Sequence, residues 1–210
     1  MRSLPKSFKD YKYLISKVGF SPIRGLLAYP FLAKGSSVPF LGKGVKIIEK
    51  GKVKFASLVW IGQNCYIDAS CNNQVNFGKG VTIRENATIQ CRSGLNKIGE
   101  GLSISDGTFI GPCAKIGVGG FITIGTNCQM GAHVTFNAES HENLDGSFTG
   151  GSVKRIGIEI GNDVWIGDGV TILDGVKIGN NVAIGAGSVV NRNIPDGEVH
   201  AGVPAKRLSN

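Results

Sequence analysis

The sequence predicts an all-β solenoid built of six-residue repeats, and two observations carry this prediction. An apolar residue recurs at every sixth position over most of the chain. Glycine accounts for 32 of the 210 residues, about twice its average share, while hydrophobic residues still make up 41%. This composition excludes collagen, which needs glycine at about every third position, and it excludes disorder, which needs few aliphatic residues.

The repeat follows a fixed frame, in which slips of four residues (67 to 77), three (89 to 98) and two (116 to 124) are interpreted as loop insertions. The frame positions are Phe55, Ile61, Ile67, Phe77, Ile83, Ile89, Ile98, Ile104, Ile110, Ile116, Ile124, Met130, Phe136, Ile160, Ile166, Ile172, Ile178, Ile184 and Val190. Leu41-Gly42 and Ile47 extend it towards the N-terminus. A period of six fits neither a helix nor simple strand alternation, so each repeat predicts a short strand and a tight turn. We expect the aliphatic residues inside stacked coils and glycine at the corners.

The cysteines fit this core. Cys65, Cys71 and Cys128 fall four residues after a frame position, where small inward side chains are expected, and Cys113 lies next to such a position. Free cysteine behaves as a small hydrophobe, so a structural role is predicted. The five cysteines include no C-x-x-C pair, and the Lys- and Arg-rich N-terminus lacks a secretory pattern, so a reducing cytoplasmic compartment is expected.

The formal charge of +8 is concentrated at the N-terminus. Residues 1–54 contain twelve Lys and Arg against two acidic residues, a net +10, whereas residues 55–210 contain eleven against thirteen, a net −2. The nearly neutral body argues against nucleic acid as a partner. Residues 1–40 form a basic amphipathic segment, in which two short helices are expected at residues 8–34. Two interpretations stay open: a cap over the first coil, or an anchor at the inner face of a membrane.

The frame lapses at about residues 137–159, where an inserted loop is predicted. Loops on a rigid scaffold often carry function. This loop contains His141, and its carboxylates include Glu139, Glu142 and Asp145. The loop is therefore the first candidate for chemistry.

The other two histidines are expected to have surface roles. His133 falls inside a regular hexad at an outward position. His200 falls in residues 195–210, which are predicted to form a tail after the last coil. His141 is thus the histidine best placed for a functional role.

The run from Asn162 to Arg207, NDVWIGDGVTILDGVKIGNNVAIGAGSVVNRNIPDGEVHAGVPAKR, resembles the C-terminal signature of hexapeptide-repeat acyltransferases. More narrowly, it is similar to the O-acetyltransferases of sugars, surface polysaccharides and streptogramin antibiotics. The resemblance implies a left-handed parallel β-helix over residues 41–194, a homotrimer, and acetyl-coenzyme A bound between neighbouring subunits. It implies acetyl transfer to a sugar hydroxyl of a surface polysaccharide or its precursor. An N-acetyltransferase of an amino sugar, an antibiotic O-acetyltransferase and a non-catalytic hexapeptide scaffold stay open as alternatives.

The resemblance also implies roles for residues of the loop. His141 matches the family's catalytic histidine, which would take the proton of the acceptor hydroxyl as it attacks the thioester. Ser140 stands where many polysaccharide-modifying relatives have aspartate, so the group that orients His141 stays open among the three loop carboxylates. The residues expected to contact the acceptor are Asn137, Glu139 and Glu142.

For the coenzyme, the resemblance implies that a tryptophan lies near the thiol end at a subunit junction, that backbone groups contact the pantetheine arm, and that basic residues lie near the nucleotide phosphates. The residues implied along the pantetheine arm are Trp165, Gly167, Asp168, Gly185 and Ala186. The basic residues implied near the phosphates are Arg192, Lys206 and Arg207. No metal ion is expected, because no His, Cys and Asp cluster has zinc spacing. Gly117-Val118-Gly119 lacks the helix that must follow a dinucleotide-binding fingerprint.

Overall fold

The computed structural model describes residues 19–94, 97–141 and 153–208, and its fold is a left-handed parallel β-helix, as predicted. In chain order the strands are β1 (Phe40–Leu41), β2 (Lys46–Ile48), β3 (Val53–Phe55), β4 (Trp60–Ile61), β5 (Tyr66–Asp68), β6 (Val75–Phe77), β7 (Thr82–Ile83), β8 (Thr88–Gln90), β9 (Arg92–Gly94), β10 (Lys97–Ile98), β11 (Leu102–Ile104), β12 (Phe109–Ile110), β13 (Lys115–Gly117), β14 (Ile122–Ile124), β15 (Gln129–Met130), β16 (Thr135–Asn137), β17 (Ser140–His141), β18 (Val153–Lys154), β19 (Ile158–Ile160), β20 (Trp165–Ile166), β21 (Thr171–Leu173), β22 (Lys177–Ile178), β23 (Ala183–Ile184), β24 (Val189–Val190), β25 (Val199–Ala201) and β26 (Lys206–Arg207). Before them come the helix α1 (Ser21–Ala28) and a 3-10 turn (Tyr29–Phe31), and a second 3-10 turn (Lys50–Lys52) follows β2.

Successive strands join three parallel sheets in rotation, and each full turn of the chain is called a coil. Sheet A contains β1, β4, β7, β12, β15, β20, β23, β25 and β26; sheet B contains β2, β5, β8, β13, β16, β21 and β24; sheet C contains β3, β6, β11, β14, β19 and β22. The turns from sheet A to sheet B form the A–B edge, and the connections from sheet B to sheet C form the B–C edge. The C–A edge closes the prism.

The frame residues stack on one another inside the coils. Ile83 pairs in register with Ile61 on one side and with Ile110 on the other, and Ile110 pairs with Met130. Every frame position except Ile98 is buried, and most of the small residues four positions later are buried too, including the three predicted core cysteines. Burial of one such aliphatic side chain is worth about 1.5–3 kcal/mol, so this column is the main stabilising feature of the fold.

Ile98 corrects the predicted frame. It is 37% exposed, and it lies on β10, which pairs antiparallel with β9 in a hairpin outside the three sheets. The frame residue that follows Ile89 is instead Ile104, which pairs with Phe77 and Ile124. Ile98 and Gly99 have the residue types of a frame position and its following glycine, but Ile98 belongs to the hairpin. The insertion is therefore longer than the predicted three residues.

All the long insertions leave the helix at the B–C edge. Across the A–B and C–A edges consecutive frame residues are six positions apart, as from Ile166 to Ile172. Across the B–C edge the spacing grows from the same six positions, between Ile172 and Ile178, to 24 positions, between Phe136 and Ile160. The hairpin β9–β10 and the loop that begins with β17 are the two longest of these insertions, and they are separated by one coil, formed by β12, β13 and β14.

The first coil is covered by α1. Ser21, Gly25 and Ala28 face it and are buried, and the Nε of Arg24 donates a hydrogen bond of 2.7 Å to the carbonyl of Leu41. A β-carbon at Gly25 would collide with the Pro39 carbonyl, so glycine allows this close packing. Of the two helices expected at residues 8–34, one is this helix, and residues 1–18 lie outside the described residues. No helix in the ranges described has the length and apolar character needed to cross a bilayer.

Part of the predicted C-terminal tail, residues 195–210, forms two strands that extend the β-helix. β25 adds to sheet A beside β23, with His200 in register with Ile184, and β26 folds back antiparallel to it. The Nε2 of His200 lies 2.8 Å from the carboxylate of Glu198, whose other oxygen lies 3.2 Å from Arg207. Sheet A therefore continues beyond the last hexad through backbone pairing of β25, and the contacts of Glu198 with His200 and Arg207 link β25 to β26.

Candidate active site

The A–B edge consists of tight turns whose glycines let the coils stack closely. A β-carbon at Gly167 would lie 2.6 Å from the backbone nitrogen of Ala186 in the next coil, and one at Gly131 would lie 2.7 Å from that of Asp168. A carboxylate oxygen of Asp168 accepts a hydrogen bond of 2.8 Å from the N–H of Ala132. The edge is therefore rigid and narrow, and it exposes Asp168 and Ala186 to solvent.

The two glycines implied in coenzyme binding pack closely on the next coil, and their N–H groups are not available to a ligand. The N–H of Gly167 donates to the carbonyl of Ile184, and the N–H of Gly185 donates to the carbonyl of His200, each at 2.8 Å. Both donors are used within the helix. Because Gly167 is buried and Gly185 is half-buried, the surface that this edge presents to a ligand is formed mainly by Asp168 and the small Ala186.

Trp165 lies on the outer face of sheet A, next to this edge, and 54% of its surface is exposed. In register it has Gln129 on one side and Ala183 on the other, and Ala183 pairs in turn with Val199, which is also exposed. A large exposed indole beside small and apolar residues is typical of a surface that a ligand or another protein covers.

The three basic residues predicted near phosphates do not lie together. Lys206 and Arg207 are exposed on β26, three strands from Trp165 in sheet A, which corresponds to about 14 Å. Arg192 is exposed as well, but it follows β24, before the bridge of Ile194 to sheet C, and so belongs to the B–C edge. Lys206 and Arg207 share the sheet of Trp165, and Arg192 shares the edge of His141.

His141 lies at the base of the inserted loop. It ends β17, which pairs antiparallel with β18, and its partner in register is Val153. His141 is exposed, and so is Asn137 at the end of β16. Glu142 and Asp145 lie outside the described residues.

Glu139, the third loop carboxylate, is engaged by Arg155. Its Oε2 lies 3.4 Å from the buried Nε of Arg155, which makes an ion pair but no well-directed hydrogen bond. The Nη1 of Arg155 donates a hydrogen bond of 2.8 Å to the carbonyl of Ile98. Arg155 thus ties the base of the loop to the hairpin β9–β10.

A pocket of about 130 Å³ opens between the hairpin and the loop base. Its floor is the backbone of Gly117-Val118-Gly119, the short B–C connection of the intervening coil. A β-carbon at Gly119 would lie 2.6 Å from that of Glu139, so glycine lets the loop base pack directly on this coil. The charged residues of its walls are Arg92, Lys97, Arg155 and Glu139.

Cys91 also lines the pocket, and its thiol meets that of Cys71 in the adjacent coil. The hydrogen bond from Cys91, together with the charge of Lys52, holds the pKa of Cys71 below its ordinary value. The same contact and burial raise the pKa of Cys91. Cys91 therefore presents a neutral thiol to the pocket.

The predicted site residues divide between two edges of the chain. Trp165, Gly167 and Ala186 belong to sheet A and the A–B edge, whereas His141 belongs to the B–C edge, with sheet B between them. A single chain therefore does not bring the histidine to the surface expected to bind the coenzyme. Within the ranges described, no three His, Cys, Asp or Glu side chains converge on a point that could hold a metal ion.

The stacked six-residue coils define the hexapeptide-repeat class of protein. The family model described as bacterial transferase hexapeptide (six repeats) matches residues 157–192. The putative lipopolysaccharide biosynthesis O-acetyl transferase WbbJ of Escherichia coli (strain K12) is 33% identical over 154 residues, which cover 68% of this chain and 74% of that protein. The chain therefore belongs to the hexapeptide-repeat family of acetyltransferases.

Two further similarities are more limited, one in the length of chain that matches and the other in sequence identity. The galactoside O-acetyltransferase of Escherichia coli (strain K12) is 42% identical over 85 residues, or 40% of this chain, and the match spans only 42% of that protein. The crystal structure of AntD, an N-acyltransferase from Bacillus cereus in complex with dTDP and 3-hydroxybutyryl-CoA, superposes with a TM-score of 0.60 at 18% identity. That superposition covers 89% of this chain and 87% of AntD, and at this identity it concerns the fold alone.

Sequence reasoning missed the pocket at the B–C edge. Arg92 and Lys97 lie on a hairpin that the predicted frame did not contain, and Arg155 was not singled out within the loop. One signal was available, because Gly117-Val118-Gly119-Gly120 is a denser glycine run than the hexad requires. Such a run indicates a close approach of another segment, which here is the loop base.

Proposed function

We propose that the protein transfers an acetyl group from acetyl-coenzyme A to a sugar hydroxyl of a surface polysaccharide or its precursor, in the cytoplasm. The observation that carries the proposal is the match to an O-acetyl transferase of lipopolysaccharide biosynthesis over most of both chains. The exposed His141 on an insertion of an otherwise regular helix supports it, since the acceptor needs both a base and room to bind.

The coenzyme fits the sheet A surface in chemical terms. Acetyl-coenzyme A supplies an acetyl group activated as a thioester. Trp165 and the smooth corner at Gly167, Gly185 and Ala186 would hold the apolar pantetheine arm. The exposed cations of Lys206 and Arg207 would pair with the phosphates.

His141 would act as the general base. A sugar hydroxyl is a weak nucleophile, and a neutral imidazole can accept its proton while the oxygen attacks the acetyl carbonyl. The C–O bond forms, the C–S bond breaks, and the imidazole passes the proton to the departing thiolate. His141 then returns to its neutral form without any covalent enzyme intermediate.

We propose that the active unit is a homotrimer with each site shared by two subunits. His141 and the coenzyme surface lie on different edges of one chain, so a second copy has to supply one of them. A head-to-tail ring of three chains places the A–B edge of one subunit against the B–C edge of the next at every interface. The exposed Trp165 is then part of such an interface.

Membrane contact through the N-terminus is a further part of the proposal. α1 packs one face on the first coil and leaves Ile23, Leu26 and Leu27 exposed on the other, beside the basic residues of the first coil. An exposed apolar face with adjacent cations binds an anionic interface. Flotation with vesicles containing phosphatidylglycerol tests it, with Leu26→Gln/Leu27→Gln as the variant expected to stay unbound.

Acetyl transfer is tested with radiolabelled acetyl-coenzyme A and a panel of polysaccharides, sugar nucleotides, amino sugars and streptogramins. Labelled product that alkaline hydroxylamine releases identifies an O-ester on a glycan, as expected. Stable label on an amino sugar would instead establish N-acetylation. Coenzyme binding without transfer to any acceptor would favour a non-catalytic scaffold.

A further inference from the structure

The two longest insertions of the described chain act together at the B–C edge. The hairpin β9–β10 and the loop base at β17–β18 are separated by one coil, and Arg155 joins them by its hydrogen bond to the Ile98 carbonyl. Glu139 holds the other side of the same guanidinium. The hairpin and the loop base therefore form one structural unit with the pocket between them.

The described residues that line the pocket carry more positive than negative charge. Arg92, Lys97 and Arg155 contribute three positive charges against the single negative charge of Glu139, a net +2 in a chain whose residues 55–210 carry −2. The Nε of Arg92 donates to the Gly94 carbonyl at 2.9 Å, which folds the side chain back towards the hairpin. The neighbouring Cys91 is a neutral thiol. The wall thus concentrates cations where the body of the protein is otherwise slightly acidic.

The pocket also has the size of a small group rather than of a whole sugar ring. A volume of about 130 Å³ over a glycine floor accommodates a carboxylate or a phosphate with its oxygens near the cations. His141 follows Glu139 by two residues, which in extended chain is roughly 7 Å. A group held in the pocket would therefore lie at the base of the loop that carries His141.

We propose that this pocket binds an anionic group of the acceptor, a carboxylate or a phosphate, and so selects acidic glycans. The proposal rests on the proposed acetyl transfer for its biological meaning, but the binding site is defined by the pocket alone. Arg92 and Lys97 act as the specificity-determining cations, and Arg155 fixes the distance between pocket and loop.

Calorimetric titration without acetyl-coenzyme A tests the pocket independently of the reaction. The probes are methyl β-D-glucuronide and glucose 1-phosphate, with methyl β-D-glucoside as the neutral analogue. We expect at least one anionic probe to bind about tenfold more tightly than the glucoside at low salt, and its advantage to shrink as ionic strength rises. A response to only one anion identifies the carboxylate or the phosphate as the group recognised.

The variant Arg92→Gln/Lys97→Gln should lose this preference, a change of about tenfold, and bind the glucoside as before. The matched control Lys34→Gln/Lys43→Gln removes the same charge from exposed positions on the first coil and should keep the preference. Anions that bind no better than the glucoside, or a preference that survives the pocket variant, would overturn the proposal. Selective binding without acetyl transfer would leave the pocket standing and reject the proposed reaction.

Discussion

The A–B and B–C edges of the same helix are built by opposite rules. Along the A–B edge every turn has the same length. Glycines such as Gly167 pack closely on the next coil, and the carboxylate of Asp168 accepts a hydrogen bond from the turn of the preceding coil. Along the B–C edge the connections vary in length, form secondary structure of their own and carry most of the charged residues of the pocket. The A–B edge therefore has the same turn in every coil, whereas the B–C edge consists of connections that differ from coil to coil.

This difference separates the two tasks of a transferase. A coenzyme common to a whole family suits a surface whose geometry the repeat dictates, while an acceptor particular to one enzyme suits the edge where chain length is free. In the proposed trimer the two edges meet at each interface. The following experiments use variants that each change one part of the helix and leave the rest in place.

Replacement of the base gives the largest expected effect. His141→Asn should lower kcat by about 10²–10⁴, because the acceptor hydroxyl loses its proton acceptor, while binding of acetyl-coenzyme A stays unchanged. Steady-state kinetics and coenzyme titration measure the two quantities.

His133→Asn is the matched control. His133 is exposed on the A–B edge with a φ of 57°, a conformation that asparagine tolerates. It should keep near-full activity. Loss of activity in His133→Asn with retention in His141→Asn would mean that the base belongs to the A–B edge.

Mixed trimers test whether the two edges come from different subunits. His141→Asn removes the base, and Ala186→Trp places a bulky ring on the smooth corner, so each variant alone should be almost inactive. After co-expression in equal amounts, about a quarter of the shared sites combine an intact histidine with an intact corner. Activity should therefore return to about a quarter of the wild-type value.

If each chain contained a complete site, every chain in the mixture would carry one defect and no activity would return. Co-purification through two different affinity tags verifies that the mixed trimers form. A mixture that contains both chains and stays inactive contradicts the shared site.

Replacement of glycine by alanine should destabilise the protein more at Gly167 of the A–B edge than at Gly51 of the B–C edge, because of these two positions only Gly167 lacks room for the added methyl group. Gly167→Ala places a β-carbon 2.6 Å from backbone in the next coil and should destabilise the protein by about 1–3 kcal/mol. At Gly51, on a B–C connection, a β-carbon would have no neighbouring atom within 4 Å, and Gly51→Ala should change stability by less than about 0.5 kcal/mol. Urea unfolding followed by circular dichroism measures both, and equal losses would refute the contrast.

The buried thiol of Cys65, between β4 and β5 on the A–B edge, should make the folding stability depend on pH in alkali. Burial raises the pKa of Cys65 to about 11 from 9.0, so the thiol ionises more easily in the unfolded chain than in the folded one. The stability that the neutral Cys65 thiol contributes to the folded state is complete below pH 9. About 2 kcal/mol of this stability is lost as the pH rises towards 11. The stability difference between wild type and Cys65→Ala should therefore shrink by that amount from pH 8 to pH 11. A constant difference would indicate that water reaches the thiol.

Much of the fold follows from the sequence because the repeat is local. Each frame residue contacts the equivalent residue of the next coil, so a correct period fixes the register, the core and the outward position of Trp165 together. The frame failed at Ile98, where an Ile-Gly pair has the local signature of a corner but belongs to an antiparallel hairpin. Period alone cannot separate the two, since the difference lies in which strand the segment pairs with.

The candidate site was less accessible to sequence reasoning for a related reason. His141 could be singled out because it interrupts a pattern. The pocket depends on Arg155 meeting a carbonyl 57 residues away, and no local spacing encodes such a contact. In the proposed trimer the meeting of the two edges depends on a second copy of the chain, which a single sequence does not describe.

The confinement of insertions to one edge also bears on how such proteins diverge. Lengthening a B–C connection moves no core side chain, and the entropy of closing a loop grows by only about 0.6 kcal/mol for each doubling of its length. An ancestor of this chain could therefore gain or lose a hairpin such as β9–β10 by a single insertion event and remain folded. Selection for a new glycan can act on one edge through changes in length, while the register of every coil is inherited intact.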